Sequence, residues 1–273
     1  MDNRIDLHNF QPSVDDIVRI STCDLFIYVG GESDNWVDAA LKEAANKDMI
    51  IINLIDVLGG AAKIEEIIEG MEEDHNDSEE NDEDNEDEGG NVKMTDYDEH
   101  VWLSLRNAQI FCPVIADALS SLDADNAVVF QKNLTEYLEK LSALDAKYQA
   151  ALAAAPIKTM LIGDRFPFRY LADDYSLSYY AAFVGCSAET EASFDTIIFL
   201  AGKADEYGLK NVIVTESSDR KIAQTIIGNT KDRNNKILVL DSMQSVTVGD
   251  INNGTTYISI MESNLNVLIE ALQ

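Results

Sequence analysis

Residues 98–108 read Asp-Glu-His-Val-Trp-Leu-Ser-Leu-Arg-Asn-Ala, and the rest of the chain is organised around this stretch. It follows the most acidic part of the sequence and contains His100, one of only 3 histidines. An apolar pattern with helical spacing then runs from Ala108 to Leu119. Imidazole is the commonest protein ligand for transition metals, and neighbouring carboxylates help to hold and orient it. His100 is therefore a candidate metal ligand; the alternative is a half-exposed histidine beside a helix cap.

The chain has 273 residues and a formal net charge of −30 at neutral pH. This length favours two domains. Such a charge argues against nucleic acid as a partner, because a phosphate backbone is bound by Lys and Arg. It suits a protein that collects cations, although it could serve solubility alone. No apolar run reaches the roughly 18 residues of a membrane helix, and we expect any signal peptide to be absent from this chain.

The acidic tract, residues 72–88, contains 12 acidic residues, no basic residue and one histidine, His75. Such a composition predicts a disordered loop over residues 72–90, because it cannot bury enough apolar surface to become ordered. One interpretation is a weak, mobile trap for cations, including calcium or magnesium. The other is a solvated spacer. The spacing of an EF-hand is missing from the tract.

The residues before the tract predict an α/β unit. Ser13 is a good N-cap for a short helix, and two apolar runs at residues 24–29 and 49–54 predict buried strands. A helix is predicted between them. Continuous apolar runs, in place of alternation, indicate a parallel sheet that is covered on both faces.

A long helical pattern occupies residues 126–155 and stops at Pro156. Thirty residues of helix span about 45 Å, which suits a rigid connection between two lobes. The sequence thus predicts an N-terminal lobe over residues 1–122, a linking helix over 123–156 and a C-terminal lobe over 157–273.

The C-terminal part again alternates strands and helices. Strands are predicted at residues 159–164, 181–184, 211–216 and 236–241, and helices at 170–175, 194–207, 220–228 and 257–273. Asp164, Glu216 and Asp241 end three of these strands. In open parallel sheets such positions face the ligand crevice, so we expect the three carboxylates to line a cleft. The predicted fold class is α/β, with two lobes that each contain a parallel sheet flanked by helices.

Two motifs resemble the metal-binding components of ABC importers for zinc and manganese, cluster A-I of the solute-binding proteins. Residues 7–13, Leu-His-Asn-Phe-Gln-Pro-Ser, resemble the family's Pro-His-Asp-Tyr-Glu-Pro-Thr, and residues 98–104 resemble its Asp-Pro-His-x-Trp-Leu-Ser/Asp. The acidic tract lies where zinc-binding members carry a His-rich loop. The resemblance covers nearly the whole chain, but the family's usual segment before the first histidine motif is lacking here.

The resemblance implies that His8 and His100 are metal ligands. Asp164 takes the place of the third ligand, which is His in zinc members and Glu in manganese members, and Thr255 stands at the usual fourth position. Glu216 is either a weaker fourth ligand or an orienting residue, unless it pairs with Arg220. The expected cargo is Zn²⁺, with Mn²⁺ second, since two imidazoles and a carboxylate suit both ions.

The resemblance further implies delivery of the ion to the membrane permease of an ABC transporter. We expect a monomer outside the cytoplasm, in a periplasm or lipid-anchored at the outer face of the cytoplasmic membrane, without catalytic activity. One alternative is a metalloenzyme with a two-His-one-carboxylate site. Another is an acidic calcium-binding or adhesion protein that depends on the acidic tract.

Overall fold

The structure, a computed structural model, describes residues 10–71, 97–187 and 191–273. The first lobe begins with α1 (Val14–Thr22), which Ser13 caps through a reciprocal contact with Asp16. It continues through β1 (Leu25–Tyr28), α2 (Val37–Lys42), β2 (Ile50–Asn53) and α3 (Leu54–Leu58). Strands β1 and β2 pair in parallel, with Leu25 opposite Ile50. The predicted parallel pair with a helix between its strands is confirmed.

Two long helices connect the sheets. They are α4 (Leu105–Leu122) and α5 (Ala127–Ala154), and they pack along each other. At 28 residues, α5 spans about 42 Å. Its buried side chains, Leu141, Leu144, Tyr148 and Leu152, all lie in its second half, where the Tyr148 hydroxyl donates a hydrogen bond to the Met261 carbonyl at 2.6 Å. The long helix is thus partly embedded in the core of the second lobe.

The second lobe contains a four-stranded parallel sheet in the order β4-β3-β5-β6. Its strands are β3 (Thr159–Phe166), β4 (Ser178–Val184), β5 (Asn211–Val214) and β6 (Lys236–Val239). Its helices are α6 (Arg169–Asp174), α7 (Phe194–Tyr207), α8 (Lys221–Asn229), α9 (Val248–Asn252) and α10 (Tyr257–Ala271). One core cluster includes residues of α5 and α10, and another includes residues of α7 and α8, so both faces of the sheet are covered. The predicted α/β fold class is confirmed.

Among the described residues, no helix is both long enough and apolar enough to cross a membrane.

A segment of the first half of the chain, residues 62–71, lies against the second lobe; we call it the crossing segment. The Lys63 amide donates to the Tyr170 hydroxyl at 3.0 Å, and Arg169 contacts both the Ile64 carbonyl and the Glu66 carboxylate. The Cys186 amide donates to Glu65 Oε1 at 3.1 Å. These contacts hold the crossing segment on α6 and on the turn after β4.

Glu65 is a carboxylate with a raised pKa in this segment. Burial raises the pKa of its side chain, and the hydrogen bond from the Cys186 amide offsets only part of that rise. Because the pKa in the folded state exceeds that in the unfolded chain, the fold binds the proton more tightly. The ionised carboxylate therefore destabilises the fold at neutral pH, and the penalty disappears as the pH falls through the raised pKa.

We predict that Glu65→Gln increases the free energy of unfolding at pH 7, since the amide oxygen can still accept from Cys186 without carrying a buried charge. The gain over the unmodified chain should shrink towards about pH 4, where carboxyl groups become protonated. Urea unfolding of metal-free protein at both pH values measures it. Glu69→Gln, on an exposed side chain of the same segment, is the control. An equal gain at both pH values would contradict the raised pKa.

Candidate metal centre

His100 lies directly before a 3-10 turn, Val101–Leu103, and its side chain is fully buried. Asp98 Oδ1 accepts a hydrogen bond from the His100 amide at 2.8 Å and lies 3.0 Å from Nδ1 of the imidazole. A carboxylate in this position holds the proton on Nδ1 and orients the ring. Nε2 is then the nitrogen with a lone pair for a metal ion. The orienting carboxylate expected beside His100 is therefore Asp98.

Glu99 points away from the imidazole, into the first lobe. Its Oε1 accepts a hydrogen bond from the Ser33 amide at 2.7 Å. Burial raises the pKa of Glu99, although the contacts with Ser33 lower it in part. Gly31 lies directly against this carboxylate, with a φ of +90°, and a Cβ at that position would come within 2.5 Å of Oε1. Glycine is therefore required here both for the backbone conformation and for the space that Glu99 occupies.

The second lobe contacts His100 at two points. A Cβ on Gly185, in the turn after β4, would come within 2.8 Å of His100 Cε1, so the imidazole packs closely on that backbone. The Gln244 side-chain nitrogen lies 2.9 Å from His100 Nε2. Beside them, the Trp102 indole N–H donates to the Ser242 carbonyl at 3.0 Å. His100 therefore lies where the two lobes meet.

The Asp164 carboxylate forms its hydrogen bonds within the second lobe. Its Oδ2 accepts hydrogen bonds from the Thr215 amide at 3.1 Å and the Thr215 hydroxyl at 2.8 Å, and Oδ1 accepts from the Arg165 amide at 2.9 Å. The sequence predicts a strand end at Asp164, but β3 continues to Phe166 with a register shift between Ile162 and Arg165. This carboxylate joins β3 to the end of β5.

Glu216 follows β5 and contacts the loop after β6. It accepts hydrogen bonds from the Ser242 amide at 2.8 Å, the Ser242 hydroxyl at 3.0 Å and the Ser245 hydroxyl at 3.2 Å. Among the described residues its donors are thus these serines, and not Arg220. Glu216 and Asp241 line a common cavity of about 220 Å³, but Asp164 is not among the described residues lining it. Of the three carboxylates that we expected to line a cleft, Glu216 and Asp241 therefore line a common cavity.

The described ranges, 10–71, 97–187 and 191–273, contain no group of three or more His, Cys, Asp or Glu side chains that could hold a metal ion. His8 and the acidic tract with His75 lie outside those ranges. The predicted set of His8, His100, Asp164 and Glu216 stays a prediction. The structure does connect His100 to Glu216 through intermediate side chains. Gln244 contacts His100, and its Oε1 lies 3.2 Å from the Ser242 hydroxyl, which in turn contacts Glu216.

Sequence reasoning missed the two residues of the second lobe that touch the imidazole, Gln244 and Gly185. Gln244 lies in the loop after β6, three residues beyond the strand-end carboxylate Asp241. The rule that loops at the carboxyl ends of parallel strands face the crevice could have selected that loop. It could not have selected the amide, because Gln carries no charge and forms no recognisable spacing with the histidines.

Comparison with known proteins gives the family. The family model for zinc-uptake complex component A, periplasmic (ZnuA), matches residues 1–271. The zinc-binding protein AdcA of Streptococcus pyogenes serotype M1 is 30% identical over 265 residues, which cover 96% of this chain and 48% of the relative. The high-affinity zinc uptake system protein ZnuA of Bacillus subtilis is 29% identical over 268 residues, covering 98% and 78%. The chain thus spans about half the length of the streptococcal relative.

Solved structures agree with this assignment. The metal-dependent lipoprotein YcdH from Bacillus subtilis superposes with a TM-score of 0.75 at 26% identity, covering 100% of this chain and 89% of that one. The Zn(II)-bound ZnuA-like domain of Streptococcus pneumoniae AdcA gives a TM-score of 0.71 at 25% identity, covering 98% and 86%. Because the family model matches nearly the whole chain, and because a buried histidine lies between two α/β lobes, this chain belongs to the ZnuA family of zinc-uptake components.

Proposed function

We propose that this chain is an extracytoplasmic receptor that binds one zinc ion between its lobes and delivers it to the permease of an ABC transporter. The observation that carries the proposal is the placement of His100, whose Nδ1 contacts Asp98 and whose Nε2 points towards the second lobe. A neutral imidazole held in this tautomer is a suitable zinc ligand. Family membership supports the same function.

The proposed ligands are His8 and His100 from the first lobe and Asp164 from the second, with Glu216 as a weaker fourth. Both carboxylates already accept hydrogen bonds. An ionised carboxylate offers about four lone-pair sites, so coordination can be added to these bonds. Nitrogen and oxygen ligands without thiolate suit zinc first and manganese second. Coordination by His requires the neutral ring, so affinity should fall below about pH 6.

We further propose that the chain acts as a monomer, in a periplasm or lipid-anchored outside the cytoplasmic membrane. The lobes would comprise residues 1–122 and 157–273, with 123–156 as the rigid connection. The anchoring of the second half of α5 in the second-lobe core supports a limited relative movement of the lobes. Binding and release, without covalent chemistry, would then be the whole activity.

We predict that His100→Ala weakens zinc binding by at least about 100-fold, because a directly coordinating imidazole is lost. Even changes to groups that only orient a ligand cost about 10–100-fold in metal affinity. Isothermal titration calorimetry on chelator-treated protein measures this loss. His8→Ala should act similarly, which covers the case in which the fully buried His100 cannot be replaced without unfolding.

The matched control is His75→Ala, since His75 lies in the acidic tract and not in the proposed site. It should leave the tight site unchanged. Unchanged affinity in folded His8→Ala and His100→Ala proteins would show that neither histidine binds the ion. The manganese alternative is tested by the same titrations with Mn²⁺, in which a tighter complex than that with Zn²⁺ would reverse the order of the two cargoes.

Deletion of residues 72–90 separates the receptor from an acidic calcium-binding protein. We predict that the shortened protein still binds one zinc ion with its original affinity, while its association rate at low salt falls because the acidic tract no longer attracts cations. Stopped-flow measurement with a zinc indicator gives the rate, and calorimetry gives the affinity. Loss of the tight site together with the tract would contradict the receptor assignment.

A further inference from the structure

Tyr170 is a residue of the second lobe whose ring lies in the core of the first. It belongs to α6 and is buried, with 1% of its surface exposed. The other buried members of its core cluster all come from the first lobe; they are Ile55 and Leu58 on α3, Val101 directly after His100, and Phe111 on α4. Tyr170 therefore crosses the boundary between the lobes and shares a core with the residue that follows His100.

The Tyr170 hydroxyl is inserted between two backbone segments that pair with each other. The Asp98 amide donates to the Lys63 carbonyl at 2.8 Å, and the adjoining residues, Ile64 and Tyr97, form an antiparallel bridge. Opposed residues of an antiparallel pair can exchange two hydrogen bonds. In place of the second bond, the Lys63 amide donates to the Tyr170 hydroxyl at 3.0 Å, and this hydroxyl donates to the Asp98 carbonyl at 3.0 Å.

The direction of both bonds follows from the partners of the hydroxyl, because a backbone amide only donates and a carbonyl only accepts. The single proton of Tyr170 is therefore given to the Asp98 carbonyl. Without the hydroxyl, the Lys63 amide and the Asp98 carbonyl could pair only by closing the gap that it fills. Unpaired buried polar groups are costly, so removal of the hydroxyl favours this closure and a shift of the Asp98 backbone.

The position of Asp98 matters because its carboxylate holds His100. Asp98 Oδ1 accepts from the His100 amide at 2.8 Å and lies 3.0 Å from Nδ1 of the ring. Groups that orient a ligand contribute to the affinity for the metal. We propose that Tyr170 is a positioning residue for zinc binding, which fixes the Asp98 backbone and, through the Asp98 carboxylate, the direction of the imidazole. The inference rests on the proposed function, in which His100 is a zinc ligand.

The test compares Tyr170→Phe with the unmodified protein. Phe keeps the ring in the first-lobe core and removes only the hydroxyl. We expect zinc to bind about fivefold more weakly, which is the factor that corresponds to the net contribution of one hydrogen bond. Calorimetry with a competing chelator measures this change.

Tyr148→Phe is the matched control. Tyr148 is also fully buried, and its hydroxyl also donates to a backbone carbonyl, that of Met261, at 2.6 Å. Loss of this hydroxyl should lower the urea midpoint of unfolding and leave the zinc affinity unchanged.

A second comparison separates positioning from a general loss of stability. Asp98→Ala removes the carboxylate and keeps the carbonyl to which Tyr170 donates. If Tyr170 acts through the carboxylate, Tyr170→Phe should cause no further loss of zinc affinity in the Asp98→Ala background. Nuclear magnetic resonance serves even if Asp98→Ala does not fold. The Nδ1 proton of His100 should shift upfield in Tyr170→Phe, because its hydrogen bond to Asp98 weakens, and should stay in place in Tyr148→Phe.

The outcomes separate the two proposals. Unchanged zinc affinity in Tyr170→Phe, while His100→Ala abolishes binding, would overturn the positioning role and leave the receptor intact. A loss of affinity that persists in the Asp98→Ala background, or that Tyr148→Phe shares, would also overturn it. Retention of zinc by folded His100→Ala would instead contradict the proposed function, whereas the shift of the Nδ1 proton would still report the action of Tyr170 on the ring.

Discussion

The contact between Asp98 and His100 is the constraint on which the rest of the site depends. Both residues are buried, with 1% and 0% of their surface exposed, so water cannot supply hydrogen bonds to their side chains. Asp98 accepts from both the backbone and the ring of His100, and its own carbonyl accepts from the Tyr170 hydroxyl of the second lobe at 3.0 Å. The Tyr170 hydroxyl also accepts a hydrogen bond from the Lys63 amide. Orientation of one imidazole is therefore tied to the packing of the two lobes.

Two segments enclose this pair from different directions. The crossing segment reaches the second lobe from the first through Lys63, Glu65 and Glu66. The loop after β6 returns from the second lobe to the first and contacts His100 and Trp102. Contacts that run in both directions resist separation of the lobes more than a single hinge would.

Periodicity and composition predict most of the fold, since they report which faces are buried. The apolar runs at β1, β2, β5 and β6 are strands in the structure, and α7 has the predicted bounds 194–207. Periodicity and composition could not predict the hydrogen-bond partners of the polar side chains. Asp164 contacts Thr215, and Glu216 contacts Ser242, because sheet order brings together strand ends that are distant in sequence. Spacing along the chain identifies a carboxylate at a strand end, but the neighbouring strand decides what it binds.

The charge at the site gives a physical reason for a cation as cargo. Asp98 contacts His100, Glu99 is the next residue in the chain, and Glu65 lies on the crossing segment; burial raises the pKa of both glutamates. The nearest bases on the crossing segment and α6 are engaged elsewhere, with Lys63 on Asp173 and Arg169 on Glu66. Carboxylates that lose water without gaining a full counter-charge destabilise the fold. A divalent cation bound near His100 would offset this cost, which is an electrostatic argument for the zinc ion that we propose as cargo.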